Sequence, residues 1–225
     1  MNNNSNGFVN LLVNVVFPTL ILTKTDEYLG VKEALVIALS LPLGYGIYDL
    51  ITQKKFNFLS LLGFISVLLT GAIGLLELNA SMIAVKEAFI PLIIGVLIII
   101  LKNTRYSLVE NLLPKILDFE KIKSNLESEE AQRLFKDLLG KFNYFMASTF
   151  LVSAILNYAL ARYIVTADSG TKEFNKQIGE MTALSFPVIA IPTSILFVVF
   201  LLYLFKKLTA ITSLSTDEMI LNPKK

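Results

Sequence analysis

Six long apolar runs, separated by short polar segments, constrain this chain more than any other feature. They cover about residues 8–23, 34–51, 56–78, 82–101, 142–165 and 181–208. A bilayer core needs about 20 helical residues to cross it, with a range of about 17–25. The first run is short by that measure and holds Asn10 and Asn14. Thr52-Gln53-Lys54-Lys55 separates the second run from the third, and Asn79-Ala80-Ser81 the third from the fourth. Links that short join antiparallel helices. The runs therefore predict an all-α, polytopic bundle of six transmembrane spans, with residues 1–225 as one integral membrane domain. A soluble helical bundle fails as an account, because too few polar faces remain to meet water.

Composition agrees. The chain is 54% hydrophobic with a mean hydropathy of +0.65, and 17% of its residues are charged. Soluble domains carry about a quarter charged residues. The net charge of +2 gives no case for nucleic-acid binding. With no cysteine and no histidine, disulfides, thiolate nucleophiles, haem ligation by histidine and the usual zinc sites are excluded. The commonest general base is missing too. No cofactor or metal is expected. The N-terminal Met1-Asn2-Asn3-Asn4-Ser5-Asn6-Gly7 lacks a basic n-region, so the first run reads as a retained span rather than a cleaved signal.

Lysine and arginine set the orientation. With the N-terminus cytoplasmic, 14 basic residues fall on the cytoplasmic side and five on the other, Lys86 lying near a span and left out. Both termini are thus expected inside. The long insert 102–141 carries eight of the cytoplasmic basic residues. Within it Ser124 and Glu127 have capping-box spacing. Ala131, Leu134, Phe135, Leu138, Leu139 and Phe142 then recur at helical spacing on one face. That pattern predicts an amphipathic helix lying at the cytoplasmic interface and leading into the fifth span. A partner-binding helix is the alternative. Val31-Lys32-Glu33-Ala34 and Val85-Lys86-Glu87-Ala88 hint at a repeat of two hairpins, on four matching residues alone.

Polar groups within spans are the informative ones, because burying them in lipid is costly. Asp49, Lys86, Glu87, Asn157 and Arg162 are the candidate polar or binding residues. Asn10, Asn14, Glu77, Gly179, Thr182 and Pro187 are candidate structural ones. Each has an ordinary alternative: asparagines bond neighbouring helices, Asp49 lies near water, and a lysine near the interface snorkels. Glu77, Lys86, Glu87 and Arg162 come from three spans on one side, which suggests a charged outer vestibule or an ion-pair network that locks helices. Within it Arg162 is the expected partner of Glu87, and Glu77 of Lys86. Gly63, Gly71 and Gly74, and Ser40 with Gly44, read as close helix packing. Pro18, Pro42, Pro91, Pro187 and Pro192 interrupt four spans, and Phe186-Pro187 with Ile191-Pro192 makes the sixth the most irregular. No Walker motif, Ser/His/Asp set or dinucleotide loop is present.

Three stretches resemble the intracellular septation protein A family of bacterial inner-membrane proteins. The first is Lys86, then Ile90-Pro91-Leu92-Ile93-Ile94-Gly95 and Arg105-Tyr106-Ser107-Leu108-Val109-Glu110-Asn111-Leu112-Leu113. The second is Leu156-Asn157-Tyr158-Ala159-Leu160-Ala161. The third is Phe174 with Gly179-Glu180-Met181-Thr182-Ala183-Leu184-Ser185-Phe186. Lys86, Asn157, Phe174, Gly179 and Thr182 match the family's pattern, and the charged insert around Ser124–Gly140 departs from it. The resemblance implies a role in envelope integrity or division and supplies no catalytic residue.

The expectation is therefore a non-enzymatic membrane scaffold or small transporter of the cell envelope. Its partners would be membrane lipid and envelope or division proteins. A transporter would show a polar midplane cavity reached by Asp49, Asn157 or Glu87. A lipid-processing enzyme would bring carboxylates and a Lys or Tyr within hydrogen-bond reach. The topology is open to cysteine labelling, since no native cysteine interferes. Single cysteines at positions 54 and 79 are expected to react from opposite sides of the membrane. Reaction from the same side would sink the six-span order.

Overall fold

The computed structural model describes residues 9, 12–24, 28–53 and 58–221, except the side chains of 49, 50, 52, 53 and 58–64. Asn10 lies outside the described residues, as do the side chains of Asp49 and Gly63's neighbours in the first half of the third run.

Among the described residues the chain is a series of helices joined by turns and loops, with no strand beyond one isolated antiparallel bridge, Leu117 to Ile220. A π-helical turn, Leu12–Val16, leads into α1, Phe17–Lys24. Then come α2 (Val31–Gln53), α3 (Phe58–Leu75), α4 (Ser81–Leu101) and the short α5 (Leu108–Leu112). A 3-10 turn follows α5, and then α6 (Phe119–Ser124) and α7 (Glu129–Ile164). α8 (Lys172–Ser185) passes through a π-helical turn, Phe186–Ala190, into α9 (Ile191–Thr212), and α10 (Thr216–Met219) follows.

Four helical stretches are long and apolar enough to cross a membrane: Val31–Tyr48, Ser81–Leu101, Glu129–Ile164 and Lys172–Thr212. Two shorter apolar helices, Leu12–Lys24 and Ile65–Leu75, fall within the other two runs. Exposure shows which solvent these helices suit. On α4, Val85, Phe89, Leu92, Val96 and Ile100 lie along one face and are 42–65% exposed. On α9, Ile195, Val198, Val199 and Leu202 do the same at 52–63%. Water would penalise such apolar faces, whereas a bilayer would not.

The chain divides into two compact units. The first comprises residues 1–90 and 154–191. Its core gathers Leu22, Leu35, Ala38, Ile73, Ile83, Ala161 and Ile178 around Phe174, which is fully buried. Thr171 caps α8, its hydroxyl accepting from the Phe174 N–H at 3.1 Å. The buried Asn175 donates to the Val31 carbonyl at 2.6 Å, which ties α8 to the start of α2. α1 and α8 approach closely at Gly179: a Cβ there would lie 2.9 Å from Thr23 Cγ2 and 3.1 Å from Leu22 Cβ. Thr19 Oγ1 donates to the Gly179 carbonyl at the same crossing.

The second unit comprises residues 91–153 and 192–225. Here the structure departs from the predicted interfacial helix. Ser124 does not open a helix; it closes α6, its hydroxyl donating to the Lys121 carbonyl at 2.9 Å. The N-terminal residue of α7 is Glu129, and Ser128 accepts from the Ala131 N–H at 3.0 Å. The apolar stripe is on one face of α7 as its spacing requires. Most of it is covered by protein: Phe135, Leu138, Leu139 and Phe142 are 4–8% exposed and pack with Ile122, Leu126, Leu208 and Met219. The reason is that α6 and the C-terminal segment supply the apolar cover that the stripe needs. At 36 residues α7 is one unbroken helix, about 54 Å long at 1.5 Å per residue. The C-terminal segment is fixed by a capping box, in which Ser215 and Glu218 bond reciprocally, and by Glu218 to Lys121 at 3.6 Å. The bond from the Ser215 backbone, then its hydroxyl and the Lys121 charge, hold the Glu218 carboxyl below its ordinary value.

Replacing Gly179 by alanine is expected to destabilise the protein by about 1–3 kcal/mol, because the crossing has no room for a methyl group. Gly140→Ala meets nothing within 4 Å and is expected to raise stability by up to about 1 kcal/mol through helix propensity. Thermal unfolding in detergent checks both. If the two variants behave alike, α1 and α8 do not cross at Gly179.

Candidate functional site

Among the described residues Lys86 is the buried charge of the first unit. It lies on α4, five residues past Ser81, and is 8% exposed. At the helical rise it sits about 8 Å along from the helix start. The start itself is capped by Asn79, whose Oδ1 accepts from the Ser81 N–H at 2.9 Å and from its hydroxyl at 2.7 Å. The Lys86 Nζ donates to Thr70 Oγ1 at 2.7 Å, to Ser66 Oγ at 3.2 Å and to Glu87 Oε1 at 2.6 Å. An ammonium group has three protons, and here each has an acceptor. Two acceptors come from α3 and one from the neighbouring residue on α4. Adjacent helical residues point about 100° apart. The four-carbon stem of lysine is long enough to bend back to the neighbouring carboxylate.

This arrangement corrects two expected pairings. Glu77 does not serve Lys86; it pairs with Lys32 at 3.1 Å, both side chains being 58% exposed. Arg162 does not serve Glu87; it is exposed and forms no ion pair among the described residues. Ser66 and Thr70 were missed as site residues. Their signal was present in the sequence: two small hydroxyl residues one helical turn apart inside an apolar run.

The vestibule residues divide accordingly. Glu77 and Arg162 border one depression of about 610 Å³, together with Asn79, Ser81, Asp168 and Ser169, while Lys86 and Glu87 stay with α3. Glu77 stands in the left-handed region at φ 54, and so does Gly170 at φ 81. A Cβ on Gly170 would lie 2.6 Å from Glu77 Cγ, so glycine answers both the conformation and the close approach. Gln177 holds the loop from α8: its Oε1 accepts from the Thr166 and Ala167 N–H groups, each at 2.9 Å. The Ser169 hydroxyl is buried there without a hydrogen-bond partner.

The remaining candidates have structural surroundings. Thr182 Oγ1 donates to the Ile178 carbonyl at 2.8 Å, one turn back on its own helix. Pro187 lies in the π-helical turn between α8 and α9. Asn14 lies in the π-helical turn before α1 and is partly buried. Asn157 lies partly buried on α7 and has a polar or electrostatic partner. Among the described residues no three Asp or Glu side chains gather as metal ligands would.

A double-mutant cycle separates the observed pairing from the expected one. For Lys86→Met and Glu87→Gln, each single change leaves a charge without its partner, and the pair is expected to couple by on the order of 1–3 kcal/mol in thermal unfolding. For Glu87→Ala and Arg162→Ala the losses are expected to add within about 0.5 kcal/mol. Coupling in the second cycle, with none in the first, would refute the geometry of the cluster. No family model, curated protein or solved structure matches the chain.

Proposed function

We propose that the chain is a six-span protein of the bacterial inner membrane, with both termini cytoplasmic, that works without catalysis as a scaffold of the cell envelope. The observation that carries the scaffold reading is the Lys86 cluster. Its ammonium group is fully taken up by Ser66, Thr70 and Glu87. An ion-binding or proton-relaying lysine needs a donor or site left open to its cargo; a lysine saturated by the adjacent helix holds two helices together. The likeness to the septation protein A family and the excess of basic residues on the cytoplasmic side point the same way. Membrane lipid and envelope or division proteins are the partners this reading implies.

A transporter is the second reading, favoured by the polar depression at Glu77, Arg162 and Asp168. Neither Asn157 nor Glu87 lines that depression. The enzyme reading has less support. Asp137, Lys141 and Tyr203 line one depression, yet no hydrogen bond joins them, and general acid–base work needs such reach.

Proteoliposomes loaded with amino acids, sugars and inorganic ions are expected to lose them no faster than protein-free vesicles. Saturable, protein-dependent flux of any one of them would replace the scaffold with a transporter. In cells, photo-crosslinkers at Lys115 and Lys136 are expected to capture envelope or division proteins. Products containing lipid alone would count against the scaffold.

A further inference from the structure

The second unit contains a depression of about 210 Å³ between α7 and α9, lined by Leu134, Asp137, Leu138, Lys141, Tyr203 and Lys207 among others. We propose that it is a binding site for the phosphodiester headgroup of an anionic phospholipid. The proposal rests on the membrane reading above.

Its position is the first argument. On α7, Lys141 immediately precedes the apolar run that begins at Phe142; on α9, Lys206 and Lys207 lie in the last turn of the run 181–208. The depression is thus built where both helices change from apolar to charged. For helices crossing a bilayer, that change marks the level of the headgroups.

Its chemistry is the second. Lys141 and Lys207 bring ammonium groups from two different helices, and Tyr203 adds a phenolic hydroxyl. Neither lysine forms an ion pair among the described residues. Leu134 and Leu138 line the depression beside the charges. Asp137 is the one acid among the lining residues. Two lysines against one carboxylate leave a single positive charge, which matches a phosphodiester better than a doubly charged monoester. The carboxylate can accept from the hydroxyls of a glycerol headgroup.

The surroundings are the third. Lys207 Nζ lies 5.8 Å from the centroid of the Tyr203 ring. Elsewhere in the unit Lys102 lies 4.0 Å over the Tyr144 ring and Arg105 4.8 Å over that of Tyr106. Tyrosines paired with cations are the composition of an interfacial belt. A bilayer also presents its headgroups at high local concentration. Free phosphate would have to overcome salt screening at two exposed lysines.

The test uses the full chain in phosphatidylcholine nanodiscs with trace spin-labelled phosphatidylglycerol or phosphatidylcholine, read by electron spin resonance. At low salt the anionic label is expected to be favoured by about fivefold, the order that one net positive charge at the interface supplies. Lys141→Gln with Lys207→Gln should remove most of that preference, whereas Lys141→Arg with Lys207→Arg should keep it. A control pair in the first unit, Lys172→Gln with Lys176→Gln, should also keep it. Four outcomes would overturn the site: no preference in the wild type, an unchanged preference in the Gln pair, an equal loss in the control pair, or displacement of the label by inorganic phosphate. Failure of the chain to enter nanodiscs at all would overturn the membrane reading along with it. Insertion without headgroup preference would overturn the site alone.

Discussion

Hydrocarbon offers a peptide group no hydrogen-bonding partner, so a segment within it must satisfy its own backbone. Four helical stretches of this chain are long and apolar enough to meet that constraint, and the behaviour of the small polar residues suits it too. Thr23, Thr70, Thr182, Ser185 and Thr212 each turn the hydroxyl back to the carbonyl four residues earlier, at 2.7–3.1 Å. A hydroxyl so bonded adds nothing unsatisfied to an apolar helix. Helix-capping side chains, by contrast, sit outside the apolar runs: Ser107, Asp118 and Thr171 accept from backbone N–H groups at the starts of α5, α6 and α8. Pro187 cannot donate, and the chain meets that with the π-helical turn Phe186–Ala190 rather than a break.

The two units solve the packing problem with different residues. In the first, small side chains sit at the helix contacts: Ala34, Ala38, Ala84 and Ala161 are 0–1% exposed, and Gly74 and Gly179 leave no room for a methyl group without adjustment. Apolar burial drives little association between helices already in lipid, so close approach and dispersion must supply it. The second unit is built on large side chains instead, with Ile122, Leu204, Leu208 and Met219 at 0–1% exposed. Its short helices α5, α6 and α10 are polar on their outer sides, and burial against water can act there in the usual way.

What was legible in the sequence, and what was not, follows the same division. The apolar runs located the long helices, because a run of that length leaves little choice of structure. The capping residue of α7 was misplaced by four positions. Ser124 and Ser128 both stand in a polar segment where several residues can cap, and only tertiary cover decides between them. The stripe from Ala131 to Phe142 was legible as a helix face but not as a buried one, since part of its cover comes from residues near Leu208 and Met219, distant in sequence. Lys86 was legible as an unusual charge. Ser66 and Thr70 were visible as two hydroxyls one turn apart, but their pairing with Lys86 was not, because a side chain with four rotatable carbons reaches acceptors that the direction of its Cβ does not indicate.

That local choice of partners has a consequence for assembly. A lysine and a glutamate that insert as separate charges each carry a large desolvation penalty. Lys86 and Glu87 are adjacent on α4, and the two hydroxyls that complete the site stand on α3, the preceding helix of the same hairpin. The charge is therefore neutralised, and every ammonium proton satisfied, by segments that emerge together. Pairing Glu87 with Arg162 would have left the charge open until the end of α7 had been made. A hairpin that closes its own charge needs no later helix for neutrality, so the residues around Lys86 are free to be apolar. The exposed Val85 and Phe89, on either side of the pair, are where that freedom is visible.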